Sequence, residues 1–230
     1  MELIEGILER RSVRAYKSMP VPRETLREVL EIATHAPSAT NSQPWEFIVV
    51  GDKVLDDLKN ALEKHYQYLL KTDNRWPPGS DADFPGNPLT GIYKQRQIDV
   101  ASDLWKLTGI TREDKEKRIQ WNIKILRAFD APNLILVAMD EEVASGPLSM
   151  FNVGLVAQTI ALSALKYGLG TCFLGAVVAY PNLVRKVLDI PESKKLVIAA
   201  SIGYPDWDVP ANKLRSSREP IDNIVTWRGI

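Results

Sequence analysis

Three guanidiniums and a hydroxyl fall within the five positions Arg10-Arg11-Ser12-Val13-Arg14. Arginine presents a planar, permanently charged fork of donors, so this cluster has the chemistry to hold a phosphate. The same residues also suit a solvated basic turn. A second polar run, Pro37-Ser38-Ala39-Thr40-Asn41-Ser42-Gln43-Pro44, offers donors and acceptors to the edge of a flat heteroaromatic group. Read alone, it also suits a plain loop in which Ser38 or Asn41 turns the chain. Arg215-Ser216-Ser217-Arg218 adds a basic pair that, taken singly, reads as surface decoration.

What is missing narrows the chemistry further. The chain has no Gly-x-Gly-x-x-Gly, no Walker loop, no Gly-x-Ser-x-Gly elbow and no His-Glu-x-x-His. One cysteine, Cys172, and two histidines, His35 and His65, make neither a disulfide nor a cysteine-rich or zinc site. His35 closes an amphipathic helix and reads as structural. Cys172 lies in an apolar strand with no basic neighbour in sequence to activate it. With no evident side-chain acid, base or nucleophile, the reactive group is expected to be a bound cofactor.

The elements that must position these residues follow from periodicity. A short helix is expected over Met1 to Arg10, with Leu3, Ile4, Ile7 and Leu8 on one face. Pro20 and Pro22 open a second helix with Leu26, Val29, Leu30 and Ala33 at three-four spacing. A strand is expected over Trp45 to Val50, then a helix carrying Leu55, Leu58, Leu62 and Leu69. From Asn74 to Gly91, Pro77, Pro78, Pro85 and Pro88 with Gly79 and Gly86 exclude regular structure. Tyr93 to Leu107 reads as a weakly amphipathic helix, and Thr111 as the cap of another with Glu113 and Asp114 in its first turn. Asn133 to Met139 is an apolar strand, Met150 to Tyr167 a nearly uncharged buried helix, and Gly170 to Leu174 a strand edge. Pro181 to Leu188 and Leu196 to Ile202 add a short helix and a last strand. Interspersed strands and helices without strict alternation indicate an α+β fold. Trp207, Pro210, Pro220 and Trp227 in the tail suggest that it packs on something, a second subunit being one choice.

With 29 basic and 29 acidic side chains among 230 residues, 45% of them hydrophobic, the composition is that of a globular protein and excludes disordered and fibrous classes. Balanced charge gives no general attraction to nucleic acid or to an anionic membrane. Glu2 and Glu5 precede any apolar core, which disfavours a signal peptide, and the apolar stretch Gly146 to Leu183 is broken by Asn152, Gln158, Lys166 and Gly168. A cytoplasmic, non-membrane protein is expected.

Arg10 to Tyr16, Ala36 to Trp45, Gly168-Leu169-Gly170-Thr171, Ile202-Gly203-Tyr204-Pro205 and Arg218-Glu219-Pro220-Ile221, in that order, resemble the nitroreductase family of FMN flavoproteins. The resemblance implies a single FMN-binding α+β domain over residues 1–230. It would have a mixed central sheet and a lid at about 74–108. It implies an intertwined homodimer whose C-terminal tail crosses to the partner, with FMN at the interface and NADH or NADPH as electron donor. Arg10, Arg11 and Ser12 match phosphate-binding residues, Arg14 the cation at the flavin N1/O2 edge, and Arg218, with Arg215 and Ser216, the basic group closing on the phosphate. Pro37, Ser38 and Asn41 match the loop given by the opposite subunit. Leu174 and Gly175 fall where a main-chain N–H approaches flavin N5; many members have a Pro-Ile-Glu-Gly-like run where this chain has Cys172-Phe173-Leu174-Gly175.

The implied reaction reduces nitroaromatics, quinones or similar electron-poor aromatic acceptors. Tyr93, Arg96 and Trp105 are expected to meet the substrate, although Trp105 also suits packing and Arg96 solvent. The related iodotyrosine deiodinases share the first two motifs. They use a lid glutamate, tyrosine and lysine and a threonine hydroxyl at N5, whereas Leu89 stands four residues before Tyr93 here and Leu174-Gly175 carries no hydroxyl. A non-catalytic FMN-binding dimer and a free-flavin reductase are the other readings.

Overall fold

The computed structural model describes residues 2–75 and 78–230, so Met1 of the first expected helix and Pro77 of the irregular segment lie outside them. The apolar residues Leu3, Ile4, Ile7 and Leu8 do share the first helix, α1 (Leu3–Glu9), but all four are exposed. α2 (Arg23–Ala33) starts after Pro22 and buries Leu26, Val29 and Ala33, one stripe at three-four spacing. β1 (Glu46–Gly51) runs directly into α3 (Asp52–Thr72), which buries Leu55, Leu58 and Leu62. Then follow α4 (Gly91–Thr108), α5 (Lys115–Leu126), β2 (Asn133–Asp140), α6 (Pro147–Lys166), β3 (Gly170–Leu174), α7 (Pro181–Leu188) and β4 (Lys194–Gly203).

Two expected helix starts are displaced, each for a local reason. α5 begins after Asp114, not Thr111, because the Asp114 carboxylate accepts the Lys117 N–H at 3.1 Å and so caps the helix. A carboxylate there also meets the positive end of the helix dipole. α6 begins at Pro147, whose missing N–H and fixed φ suit a first turn. Among the described residues 78–90 no helix or strand forms, as the prolines dictate.

The sheet order is β1-β2-β4-β3, and every ladder is antiparallel. A mixed sheet was implied by the resemblance; among the described residues the parallel component is one bridge, Ser12 to Thr171, on the outer edge of β3. The continuous apolar run of β2 has a simple cause. Leu134, Leu136 and Ala138 face a core built with α3, α5 and α7, while Ile135, Val137 and Met139 face a second core built with α2 and α6. Side chains alternate across a strand, so a central strand covered on both faces has no polar positions. α6 is long and apolar enough to cross a membrane by composition, but Val153, Val156, Ile160 and Ala164 are buried in the second core.

The irregular segment is tied down at its base. Asp73 accepts hydrogen bonds from Arg75 and from the Gly79 N–H at 2.9 Å. Arg75 is the main cause of a carboxyl pKa held far below the usual range. Further along, Arg185 of α7 pairs with Asp83, which also accepts the Leu196 N–H at 2.8 Å; both side chains of the pair are buried. Removing one partner of a buried pair strands the other charge and costs about 3–5 kcal/mol. Arg185→Met is therefore expected to lower the urea midpoint by an amount equivalent to about 3 kcal/mol. Adding Asp83→Asn, which keeps an acceptor for Leu196, is expected to recover more than half of that loss.

Candidate functional site

Residues 12–16 lie along the edge of β3. Val13 N–H donates to the Thr171 carbonyl at 2.9 Å, and Lys17 N–H to the Tyr204 carbonyl at 2.9 Å. Alternation along this extended piece buries Val13 and leaves Ser12 and Arg14 half-buried on the other side. The close approach requires glycine in β3, since a Cβ on Gly170 would come within 2.4 Å of Val13 Cγ2. Asn212, fully buried, clamps the segment from the far side. Its Oδ1 accepts the Arg14 N–H at 2.6 Å, and its Nδ2 donates to the carbonyls of Ala15 (2.9 Å) and Asp206 (2.7 Å). Tyr16 completes the seam, its hydroxyl 2.7 Å from Ser201 Oγ and donating to the Val13 carbonyl at 3.0 Å.

On this support the arginines gather. The Arg11 guanidinium lies 4.5 Å from the ring centroid of Trp207, and its NH2 is 3.7 Å from Glu9 Oε2. Arg215 bonds the same carboxylate oxygen and reaches the Glu9 carbonyl at 3.5 Å. Arg11 Nε is buried with no hydrogen-bond partner among the described residues. Burial, then the Arg215 charge, weakens the hold of Arg11 on its proton, whereas the hydrogen bond and charge of Arg215 keep the Glu9 carboxyl below its ordinary range. A buried, unpartnered guanidinium N–H beside a second arginine is a donor set suited to an anion with several oxygens. Arg10 is half-buried next to them in sequence, while Arg218 turns back on its own loop, donating to Ser216 Oγ at 2.8 Å and the Ser217 carbonyl at 2.9 Å.

Cys172 has basic neighbours that its place in the sequence does not show. No basic residue is its neighbour in the chain, yet Arg14, Ser12 and Arg10 all act on it across the seam. Burial is the larger effect and pushes the thiol pKa up, so Cys172 remains an inert small hydrophobe.

The other expected residues are placed in two further regions. Ser38 Oγ accepts the Gln43 N–H at 3.0 Å and Asn152 of α6 takes the Ala39 N–H at 3.1 Å; Thr40, Asn41 and Gln43 all have positive φ. Pro37 and Asn41 are exposed, and among the described residues no hydrogen bond or ion pair joins this loop to the 10–14 segment. Leu174 is buried at the end of β3, and Gly175 after it is exposed with open space around its Cα. Tyr93 is exposed on α4 with the Arg96 guanidinium 5.8 Å from its ring, and Arg96, itself exposed, pairs with Glu219 of the tail at 2.6 Å. Trp105 is half-buried under Arg118 at 5.5 Å and borders a cavity of about 760 Å³ with Lys94, Ile98 and Arg112.

Three residues of this neighbourhood were not singled out for the site from the sequence: Glu9, Asn212 and Trp207. Asn212 and Glu9 belong to no recognisable motif. The available signal for Trp207 was an aromatic in a tail that otherwise needed none.

The sequence profile of the nitroreductase family matches residues 7–204. The chain is 32% identical to a 4-nitrobenzoate reductase of Nocardioides sp., over 99% of this chain and 90% of that one. The solved FMN- and NADPH-dependent nitroreductase NfnB of Sphigopyxis sp. superposes with a TM-score of 0.90 at 28% identity, all of both chains being covered. The FMN-dependent nitroreductase NfnB of Mycobacterium smegmatis, solved in complex with NADPH, gives 0.89 at 29% identity over 98% of this chain and 97% of that one. A match over most of the length makes the chain a member of the nitroreductase family.

Proposed function

We propose that the protein is an FMN-dependent oxidoreductase that uses NADH or NADPH to reduce nitroaromatics, quinones or similar electron-poor acceptors in a two-step, ping-pong exchange. The observation that carries this is the orphaned Nε of Arg11 in a nest of arginines on a pinned backbone, in a member of this family. FMN held there would supply hydride-transfer chemistry between the nicotinamide and the acceptor. Arg10, Arg11 and Ser12 hold the phosphate, with Arg215, Ser216 and Arg218 closing on it. Arg14, fixed through Asn212, supplies a positive charge that stabilises negative charge gained by the cofactor. Gly175 has open space where a side chain would lie, and neither it nor Leu174 carries an acid or base, so this stretch contributes a main-chain N–H.

Pro37, Ser38 and Asn41 reach the site from a second copy, which explains why they bond to nothing around Arg14 within one chain. Three further features support a homodimer. The apolar residues of α1 are exposed together with Leu148 and Phe151 of α6; the tail exposes Ile221, Ile224 and Trp227; and β1 is an unpaired edge. Contiguous apolar exposure and open edges of this kind mark association surfaces. Residues 1–230 then form one FMN-binding unit in which about 74–108 is the lid, with Tyr93, Arg96 and Trp105 choosing the aromatic acceptor.

Arg14→Ala is expected to leave the dimer intact while lowering the bound flavin's two-electron midpoint by roughly 30–60 mV, or about 1.4–2.8 kcal/mol; an unchanged potential removes this role. Deleting residues 221–230 should convert a two-chain species in sedimentation to one chain and lose the yellow cofactor on gel filtration. Steady-state NAD(P)H oxidation should rise at least tenfold on adding 4-nitrobenzoate or a quinone, whereas a non-catalytic FMN carrier shows no acceptor-dependent rate.

A further inference from the structure

Glu9 has no place in the reading above, yet its carboxylate is the only group in the described structure that touches both Arg11 and Arg215. It is the last residue of α1, where the negative end of the helix dipole disfavours an acidic side chain. Its position is therefore sustained by the arginines and not by the helix. Its side chain is about half exposed, at 48%, so it can swing into water without desolvation or steric hindrance. Exposed pairs of this kind are worth little.

The fit is also incomplete. Glu9 bonds Arg215 closely but lies 3.7 Å from Arg11, too far for a hydrogen bond, and leaves Arg11 Nε buried and unpartnered. The Trp207 ring holds the Arg11 guanidinium in place, so the arginine is fixed for a group that Glu9 does not fully replace. A phosphate has more acceptor oxygens and roughly twice the charge, which suits both forks and the spare N–H.

We propose that Glu9 is a displaceable counter-ion: in the free protein its carboxylate neutralises Arg11 and Arg215, and the phosphate of the flavin nucleotide takes its place. This rests on the FMN reading and adds to it. While the site waits, Glu9 offsets the mutual repulsion of the two guanidiniums. It also competes with any incoming anion, and a monovalent one gains too little from the arginines to displace it. The internal carboxylate thus lowers the affinity for flavin that carries the phosphate and leaves that for flavin lacking it unchanged.

The test is titration of the deflavinated full-length protein with FMN and, separately, with riboflavin, followed by flavin fluorescence. Glu9→Gln keeps the size of the side chain and removes its charge. It is expected to tighten FMN binding about three- to tenfold, to leave riboflavin affinity within twofold, and to steepen the loss of FMN affinity with added salt. In an Arg215→Ala background the gain from Glu9→Gln should largely vanish. Equal or weaker FMN binding by Glu9→Gln, with the wild type binding FMN normally, overturns the counter-ion role alone, as does equal tightening of riboflavin. A wild-type chain that binds no FMN, or binds FMN and riboflavin equally, sinks the flavin reading and the counter-ion role with it.

Discussion

The contact on which the site depends is the seam between residues 12–16 and β3. It has no long hydrophobic run to stabilise it, and it is built from a few backbone hydrogen bonds, a buried Val13 and a glycine that permits the approach. Asn212 supplies what a further strand would otherwise provide, meeting the donor of Arg14 and the acceptor of Ala15 with one amide. A buried amide that satisfies one donor and two acceptors is costly to replace, since an apolar substitute removes all three bonds, and the Ala15 carbonyl keeps only the Asp206 N–H at 3.1 Å. The arginines inherit their spacing from this seam. Arg14 and Ser12 project from one side of a fixed extended piece, and Arg11 precedes it by a single residue.

Charge at the site is handled by proximity and partial burial, not by a titrating group. Arg11 is desolvated enough to lose some of its hold on its proton, yet an arginine remains charged throughout the physiological range. Tyr16 and Cys172, the other titratable groups beneath the seam, have pKa values raised chiefly by burial and remain neutral. Glu9 and the arginines carry fixed charge there, so ionic strength should matter more to ligand affinity than pH does near neutrality.

Much of this was legible in the chain. Both faces of β2 were implied by an unbroken apolar run, and the buried faces of α2 and α3 by three-four spacing. The arginine cluster stood out because its members are contiguous. What stayed hidden was partnership across long separations: Asn212 lies 198 positions from Arg14 and Arg215 lies 206 from Glu9. No local pattern marks such pairs. The N-terminus of α5 was missed for a different reason, as Thr111 and Asp114 are both good caps and only the geometry of the chain entering the helix chooses Asp114. The sheet shows a third kind of limit. Motifs that resemble a family carry its topology along with them, while the strands of one chain show only the antiparallel part.

The segment 207–219 supports both ends of the proposed reaction. Its first half stacks Trp207 on Arg11, places Asn212 at the seam and packs Ala211 and Leu214 against Leu104 of α4. Its second half carries Arg215 and Arg218 and ends on Glu219, which pairs with Arg96 of α4; Asn223 and then Arg96 keep that carboxyl ionised. An exposed pair such as Arg96–Glu219 contributes at most about 1 kcal/mol, so it does not hold α4 in place by strength. What it does is geometric: Glu219 follows Arg218 directly, so a shift of α4 that breaks or drags the pair also moves the neighbouring guanidinium. The apolar contact of Leu104 with Ala211 and Leu214 transmits the same motion toward Asn212. The substrate choice proposed for α4 and the phosphate grip proposed for the arginines therefore share one short piece of chain.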